Sequence, residues 1–265
     1  MIKIERKITE KSKKAAASLQ MAKKNHASYN TPEVNAALKE LFHGKCYLCE
    51  NKQIISYQIE HLVPHRKKEE LMYDWNNLFL ACAHCNNTKL GKYDPILDCT
   101  REDIEKKIAF RKKGYFGTDE ELVFDKLDNS IETENTVKLL QAVYYGTTPQ
   151  KKMESVILRR LLRKELSAFK EYIREYQEAE DDEKEDLGYL LKQQLSDSSP
   201  FAAFKRQLVR DHRKTCQELL EYLESPCIRK MLLRSICSIV KFSPHMTDIF
   251  YMILVYLTAI YRNIS

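Results

Sequence analysis

The sequence lacks an apolar run long enough to cross a bilayer: the longest, Ile249 to Tyr261, covers thirteen residues, where a spanning helix takes ~20. That run is expected to form a buried helix, with no membrane partner. The chain opens Met1-Ile2-Lys3-Ile4-Glu5-Arg6-Lys7, without the apolar stretch of a secretory signal. The expected compartment is therefore the reducing cytoplasm, where paired Cys-x-x-Cys signals metal more often than disulfide. No internal repeat is visible, and tryptophan occurs once, at Trp75. A chain of 265 residues, 43% hydrophobic and 31% charged, is neither disordered nor fibrous and has material for one or two modest cores.

Charge is present and unevenly placed. The net charge is +6, but residues 1–113 hold 22 Lys and Arg against 14 Asp and Glu, which leaves the remainder slightly acidic. Such a basic half attracts polyphosphate through counterion release, which favours nucleic acid as a ligand without specifying a sequence.

Three regions are expected: N-terminal helices over 1–43, a cysteine-bearing module over 44–113, and a helical C-terminal domain over 114–265. Thr31-Pro32-Glu33 is a helix start, with the hydroxyl as N-cap and proline at the first helical position. The helix it opens puts Val34, Ala37, Leu38 and Leu41 on one face. Ile54 to Ile59 has the β-branched and aromatic content of a strand, and Leu78 to Ala81 reads as a second strand running into Cys82. A helix is expected from Asn86, capped by Asn86 or Asn87. Residues 101–113 suggest a basic helix, and Leu122-Val123-Phe124 a short strand. Leu158, Leu162, Leu166, Phe169, Ile173 and Tyr176 follow helical spacing between Met153 and Gln177, a seam suited to a partner, a second copy or the chain's own core. Glu178 to Asp186 carries seven acids and one lysine, as a solvated linker or helix end would. Breaks at Ser196 to Pro200, Ser225-Pro226 and Ser243-Pro244 divide the rest into further helices.

The strongest signal is Cys46-x2-Cys49 followed by Cys82-x2-Cys85. Each pair puts two sulfurs on one tight turn, and together they complete a tetrahedral zinc shell with no open position. That zinc is structural, so chemistry must come from the residues between and after the pairs. Glu60 is a hard oxygen donor suited to Mg2+ or Mn2+, and His61, its neighbour on an extended strand, points to the other side to meet water. His65 and His84 read as solvated histidines. Lys89, Lys92, Arg66 and Lys67 are candidate phosphate contacts. Trp75 is expected to pack under the cysteine turns, and Cys99, Cys216, Cys227 and Cys237 to be buried small hydrophobes.

Cys-x2-Cys, Glu-His-x-x-Pro, Asn-Leu and Cys-x2-Cys-Asn-x2-Lys together resemble the zinc-bearing branch of the HNH endonucleases, a ββα-metal nuclease family. More narrowly, Cys46-Tyr-Leu-Cys-Glu50, Ile59-Glu-His61, Tyr73 to Leu78 and Ala81 to Lys89 are similar to the HNH subunits of Septu and some retron anti-phage systems. The resemblance covers residues 40 to about 100. The helical patterning on either side makes the chain mainly α, and the resemblance implies a small, treble-clef-like α+β nuclease module within it. It also implies His61 as general base, Glu60 as metal-binding residue, Asn77 as the asparagine that braces the loop, and Asn86 as the final metal-side position, where histidine is common. DNA or an RNA such as tRNA is the implied substrate, and an ATPase of the PtuA type the implied partner. Two alternatives stand beside this: a zinc ribbon that binds nucleic acid or protein without cutting, and a stand-alone restriction-type HNH enzyme. A ribbon has no use for Glu60-His61 combined with Asn86, which separates the first alternative from an enzyme.

Overall fold

The computed structural model describes residues 1–114 and 120–224, with only the backbone of 181 and 182. The chain divides into two compact units, residues 1–219 and 220–265; the composition boundary at 113/114 lies inside the first. The break at Ser225-Pro226, the break at Ser243-Pro244, the apolar run from Ile249, Cys227 and Cys237 lie outside the described residues.

The first unit opens with a helical hairpin. α1 (Glu10–Lys24) starts at a capping box in which Thr9 and Ser12 exchange hydrogen bonds, and α2 (Pro32–Leu41) starts where Thr31 accepts from the Val34 amide, with Pro32 at N1. Val34, Ala37 and Leu38 are buried from α2, and Ala15, Leu19 and Ala22 from α1. The apolar faces of the two helices therefore join the core that underlies the cysteine turns.

After the first cysteine pair, β1 (Tyr57–His61) pairs antiparallel with β2 (Leu78–Cys82), in a register that sets Glu60 opposite Phe79 and His61 opposite Leu78. The strand starts later than Ile54 and includes Glu60 and His61 as its last two residues. Between the strands lie the short helix α3 (Glu69–Met72) and a 3-10 turn, Trp75–Asn77. Trp75 lies under the Arg6 guanidinium, whose carbon is 5.3 Å from the ring centre.

Two expectations give way here. α4 (Ala83–Lys89) begins directly at the end of β2, with Cys82 at the N-cap and no side-chain cap, so Asn86 and Asn87 lie inside the helix rather than at its start. Residues 101–113 are not a helix. A 3-10 turn at Ile104–Lys106 leads into β3 (Ile108–Lys113), which pairs antiparallel with β4 (Glu121–Lys126). The cause is a cross-strand aromatic pair: Phe110 faces Phe124 edge-on at 5.5 Å, and both rings meet Phe204.

The remaining described residues are helical: α5 (Ile131–Tyr145), α6 (Pro149–Glu178), α7 (Asp181–Gln194), α8 (Ala202–Asp211) and α9 (Gln217–Glu224). The seam of α6 is internal, since Leu158, Leu162, Leu166, Phe169 and Ile173 are buried and the helix packs on α5, α7 and α8. Tyr176, half-buried, instead donates its hydroxyl to Glu218. The acidic stretch forms the junction of α6 and α7. Helix α8 is tied to the cysteine turns: buried Glu50 accepts from the Ala203 amide at 2.9 Å, and Tyr144 of α5 donates to the Cys49 carbonyl at 3.1 Å. No described helix is long and apolar enough to cross a membrane.

Candidate active site and zinc centre

The turn at Cys46–Cys49 lies against β2, with the Tyr47 amide donating to the Leu80 carbonyl at 2.9 Å. The second pair straddles the junction of β2 and α4, so the hairpin brings both pairs to one point. One sulfur from each cysteine lies within 4.8 Å of the others, and Cys49 and Cys82 are 3.9 Å apart. Four thiolates at ~2.3 Å from a shared zinc stand roughly 3.8 Å apart, so the spacing fits the ion. Three of the four residues are buried, a setting in which bare thiolates would repel without a cation. This is the one such cluster among the described residues.

His61 leaves the end of β1 on the face opposite Glu60. Its Nε2 lies 3.0 Å from the Met72 carbonyl, an acceptor only, so Nε2 carries the proton and Nδ1 the lone pair of the neutral ring. Burial lowers the imidazole pKa below its ordinary value, with His65 and Lys89 adding to the shift and the bond to Met72 opposing it. The ring is packed edge-on by Tyr29 at 4.7 Å and lies 4.6 Å from the His65 ring. Asn77 holds the loop that follows. Its Oδ1 accepts from the Val63 amide at 2.8 Å, and its Nδ2 donates to the carbonyls of Val63 and Leu71 at 2.9 and 3.0 Å.

Glu60 faces inward. Tyr47 donates to its Oε2 at 2.6 Å, and the Lys89 ammonium stands 2.7 Å from its Oε1. Burial pushes the Glu60 carboxyl up to about 7 against the pull of Lys89 and Tyr47, with Asp94 adding to the rise. Burial and the Glu60 charge also push the Tyr47 hydroxyl well above its ordinary value, which keeps it a donor. Asn86 donates its Nδ2 to Gln58 Oε1 at 2.6 Å, so α4 crosses the Gln58–Glu60 face of β1. Glu60 as arranged does not fit a divalent cation: both of its carboxylate oxygens are engaged, one of them by a positive charge.

The module is thus a hairpin and a helix joined by four sulfurs, with a histidine at the strand end and an asparagine brace. Residues 46–91 match the HNH endonuclease family. Its members are nucleases that hydrolyse phosphodiester bonds. The chain is also 33% identical to Septu protein PtuB of Bacillus mycoides (strain KBAB4), over 26% of this chain and 28% of that protein. To Septu protein PtuB of Bacillus thuringiensis it is 30% identical, over 27% of this chain and 30% of the relative. The chain thus spans less than a third of the length of the curated relatives it matches.

Within and around the HNH module, the expected phosphate contacts fall into two groups. Arg66, Lys67 and Lys92 are exposed, and Arg66 and Lys67 both have left-handed backbones (φ 44° and 66°) directly after His65, whose Nδ1 accepts from the Lys67 amide. Lys89 is buried in an ion pair and does not reach the surface. His84 departs from the expected solvated role: its two ring nitrogens meet Glu154 Oε2 at 2.6 Å and the Val143 carbonyl at 2.7 Å, tying the HNH module to α5 and α6. Tyr29, Tyr47 and Asp94 are site residues that sequence reading missed. Each reaches the HNH site through packing of separate elements, and no spacing announces it.

Proposed function

We propose that the protein is a metal-dependent endonuclease of a Septu-type anti-phage system, with DNA as its substrate and an ATPase of the PtuA type as its partner. The observation that carries the reading is His61: a largely buried imidazole, 8% exposed, whose Nε2 is committed to a backbone carbonyl, leaving Nδ1 to take a proton from water. Its lowered pKa keeps that nitrogen unprotonated near neutrality. Asn77 fixes the loop from which the base acts, and exposed Arg66, Lys67 and Lys92 would receive the phosphate backbone. The zinc held by Cys46, Cys49, Cys82 and Cys85 serves as scaffold, since its shell is full.

The partner follows from the likeness to the PtuB proteins and gains a candidate surface in the exposed Met153, Val156 and Ile157 of α6. A second copy of the chain is the competing occupant. The test incubates the zinc-loaded protein, with and without the co-expressed ATPase, with supercoiled plasmid and with tRNA in Mg2+ or Mn2+. Nicking or linearisation of plasmid is expected, and cleavage of tRNA alone would replace DNA with RNA. Retention of either nucleic acid without any cutting would favour the non-catalytic zinc ribbon.

A further inference from the structure

Lys89 is a lysine that reaches no solvent, with 1% of its surface exposed. Its Nζ stands in a cage of four oxygens: Glu60 Oε1 at 2.7 Å, the Leu62 carbonyl at 2.9 Å, the His61 carbonyl at 3.2 Å and Asp94 Oδ1 at 3.2 Å. An ammonium has three protons to donate, so these acceptors exhaust it. The cage is built from three segments. Lys89 comes from the last turn of α4, Glu60 and the His61 carbonyl from the end of β1, with the Leu62 carbonyl just after it, and Asp94 from the turn after α4. That turn folds back closely at Gly91, which has φ 68° and where a Cβ would come within 3.2 Å of Pro64.

Two consequences follow from the atoms involved. The carbonyls held by the ammonium belong to His61 itself and to its successor, so Lys89 grips the backbone of the base from one side while Asn77 grips residue 63 from the other. Lys89 is also four residues from the zinc ligand Cys85 on the same short helix, which links the metal scaffold to the base through one side chain. A solvated phosphate contact would instead show an exposed ammonium. A cation site at Glu60 would instead show a carboxylate with a vacant oxygen.

We propose that Lys89 is a positioning residue: its ammonium is the resident cation of Glu60 and Asp94, and by holding the carbonyls of His61 and Leu62 it sets the direction of the imidazole. Glu60 thereby serves the cage and not a divalent metal. The proposal rests on the reading of His61 as general base but is measurable apart from it.

Removing the ammonium alone leaves two buried carboxylates without their counter-ion, so Lys89→Met is paired with the double variant Glu60→Gln/Lys89→Met, in which the charge on both sides is reduced. The full chain, zinc-loaded, is compared as wild type, Glu60→Gln, Lys89→Met and the double variant. Zinc content, kcat and KM, Mn2+ affinity by electron paramagnetic resonance, and the ring-nitrogen signals of His61 in 15N-histidine spectra are recorded, with His61→Ala providing the assignment. In the folded, zinc-containing double variant, the His61 ring signals are expected to move and kcat to fall by about 10- to 100-fold with KM within about twofold. Mn2+ affinity should stay within about twofold of wild type in every variant.

Unmoved His61 signals with wild-type kcat in the folded double variant would overturn the proposal. A rise in KM at unchanged kcat would make Lys89 a substrate contact, and loss of Mn2+ binding in Glu60→Gln would make Glu60 a metal ligand; either outcome refutes it. If the wild type cuts nothing, the nuclease reading fails, and the His61 signals alone still decide whether Lys89 positions the ring.

Discussion

At the scale of single residues, the site depends on which ring nitrogen of His61 is committed and which is available. The Met72 carbonyl takes Nε2, and Tyr29 and His65 confine the ring. Burial lowers the imidazole pKa, so the folded chain binds fewer protons than the unfolded one just below the ordinary value of about 6.5. His61 therefore contributes stability above that value and loses it as pH falls through its own lowered pKa. With His61 in its proposed role as general base, cleavage has the same limit, because the protonated ring cannot accept a proton. Single-turnover cleavage followed from about pH 5 to 8 is expected to show an acid limb with its midpoint below about 6.5. A midpoint above it would mean that the ring is not in the environment described. Of these residues, His61 and Asn77 were legible in the sequence from their motif. Tyr29 and Tyr47 were not, because an aromatic residue that meets a histidine or a carboxylate across a fold leaves no periodic trace.

At the scale of elements, legibility followed local chemistry. Thr31-Pro32 marks the start of α2, since cap and proline act within one turn. The α6 seam is equally legible, because five large side chains at helical spacing are buried on one face. The start of α4 was hidden, since a cysteine at the N-cap gives no capping signal and the strand passes straight into the helix. β3 was hidden as well: Arg111, Lys112 and Lys113 suggest a basic helix, and only the tertiary meeting of Phe110 with Phe124 and Phe204 selects the strand. The seam is also the support on which the nuclease module rests through α5. Leu162→Ala, at a fully buried position, is expected to cost about 2–5 kcal/mol in denaturant unfolding while zinc content stays unchanged. A cost within about 0.5 kcal/mol would place the seam at an outer surface instead.

At the scale of the whole molecule, charge and metal divide the labour. Net positive charge concentrates in residues 1–113, which bear the cysteine tetrad, and the remainder is slightly acidic. Nucleic-acid binding should therefore weaken steeply as salt rises, with a linear negative slope of log affinity against log salt. Fluorescence anisotropy across a salt series checks this, and affinity independent of salt would contradict a phosphate-led interface. The cysteine tetrad holds the frame, α4 carries that frame to Glu60 through Lys89, and β1 presents His61 on its other face. The central claim is that scaffold and base are separate, and it is tested most directly by plasmid cleavage and zinc content measured together on wild type and His61→Ala. The expected result is an equal zinc content with cleavage abolished in the variant; cleavage at the wild-type rate by zinc-loaded His61→Ala would contradict the account.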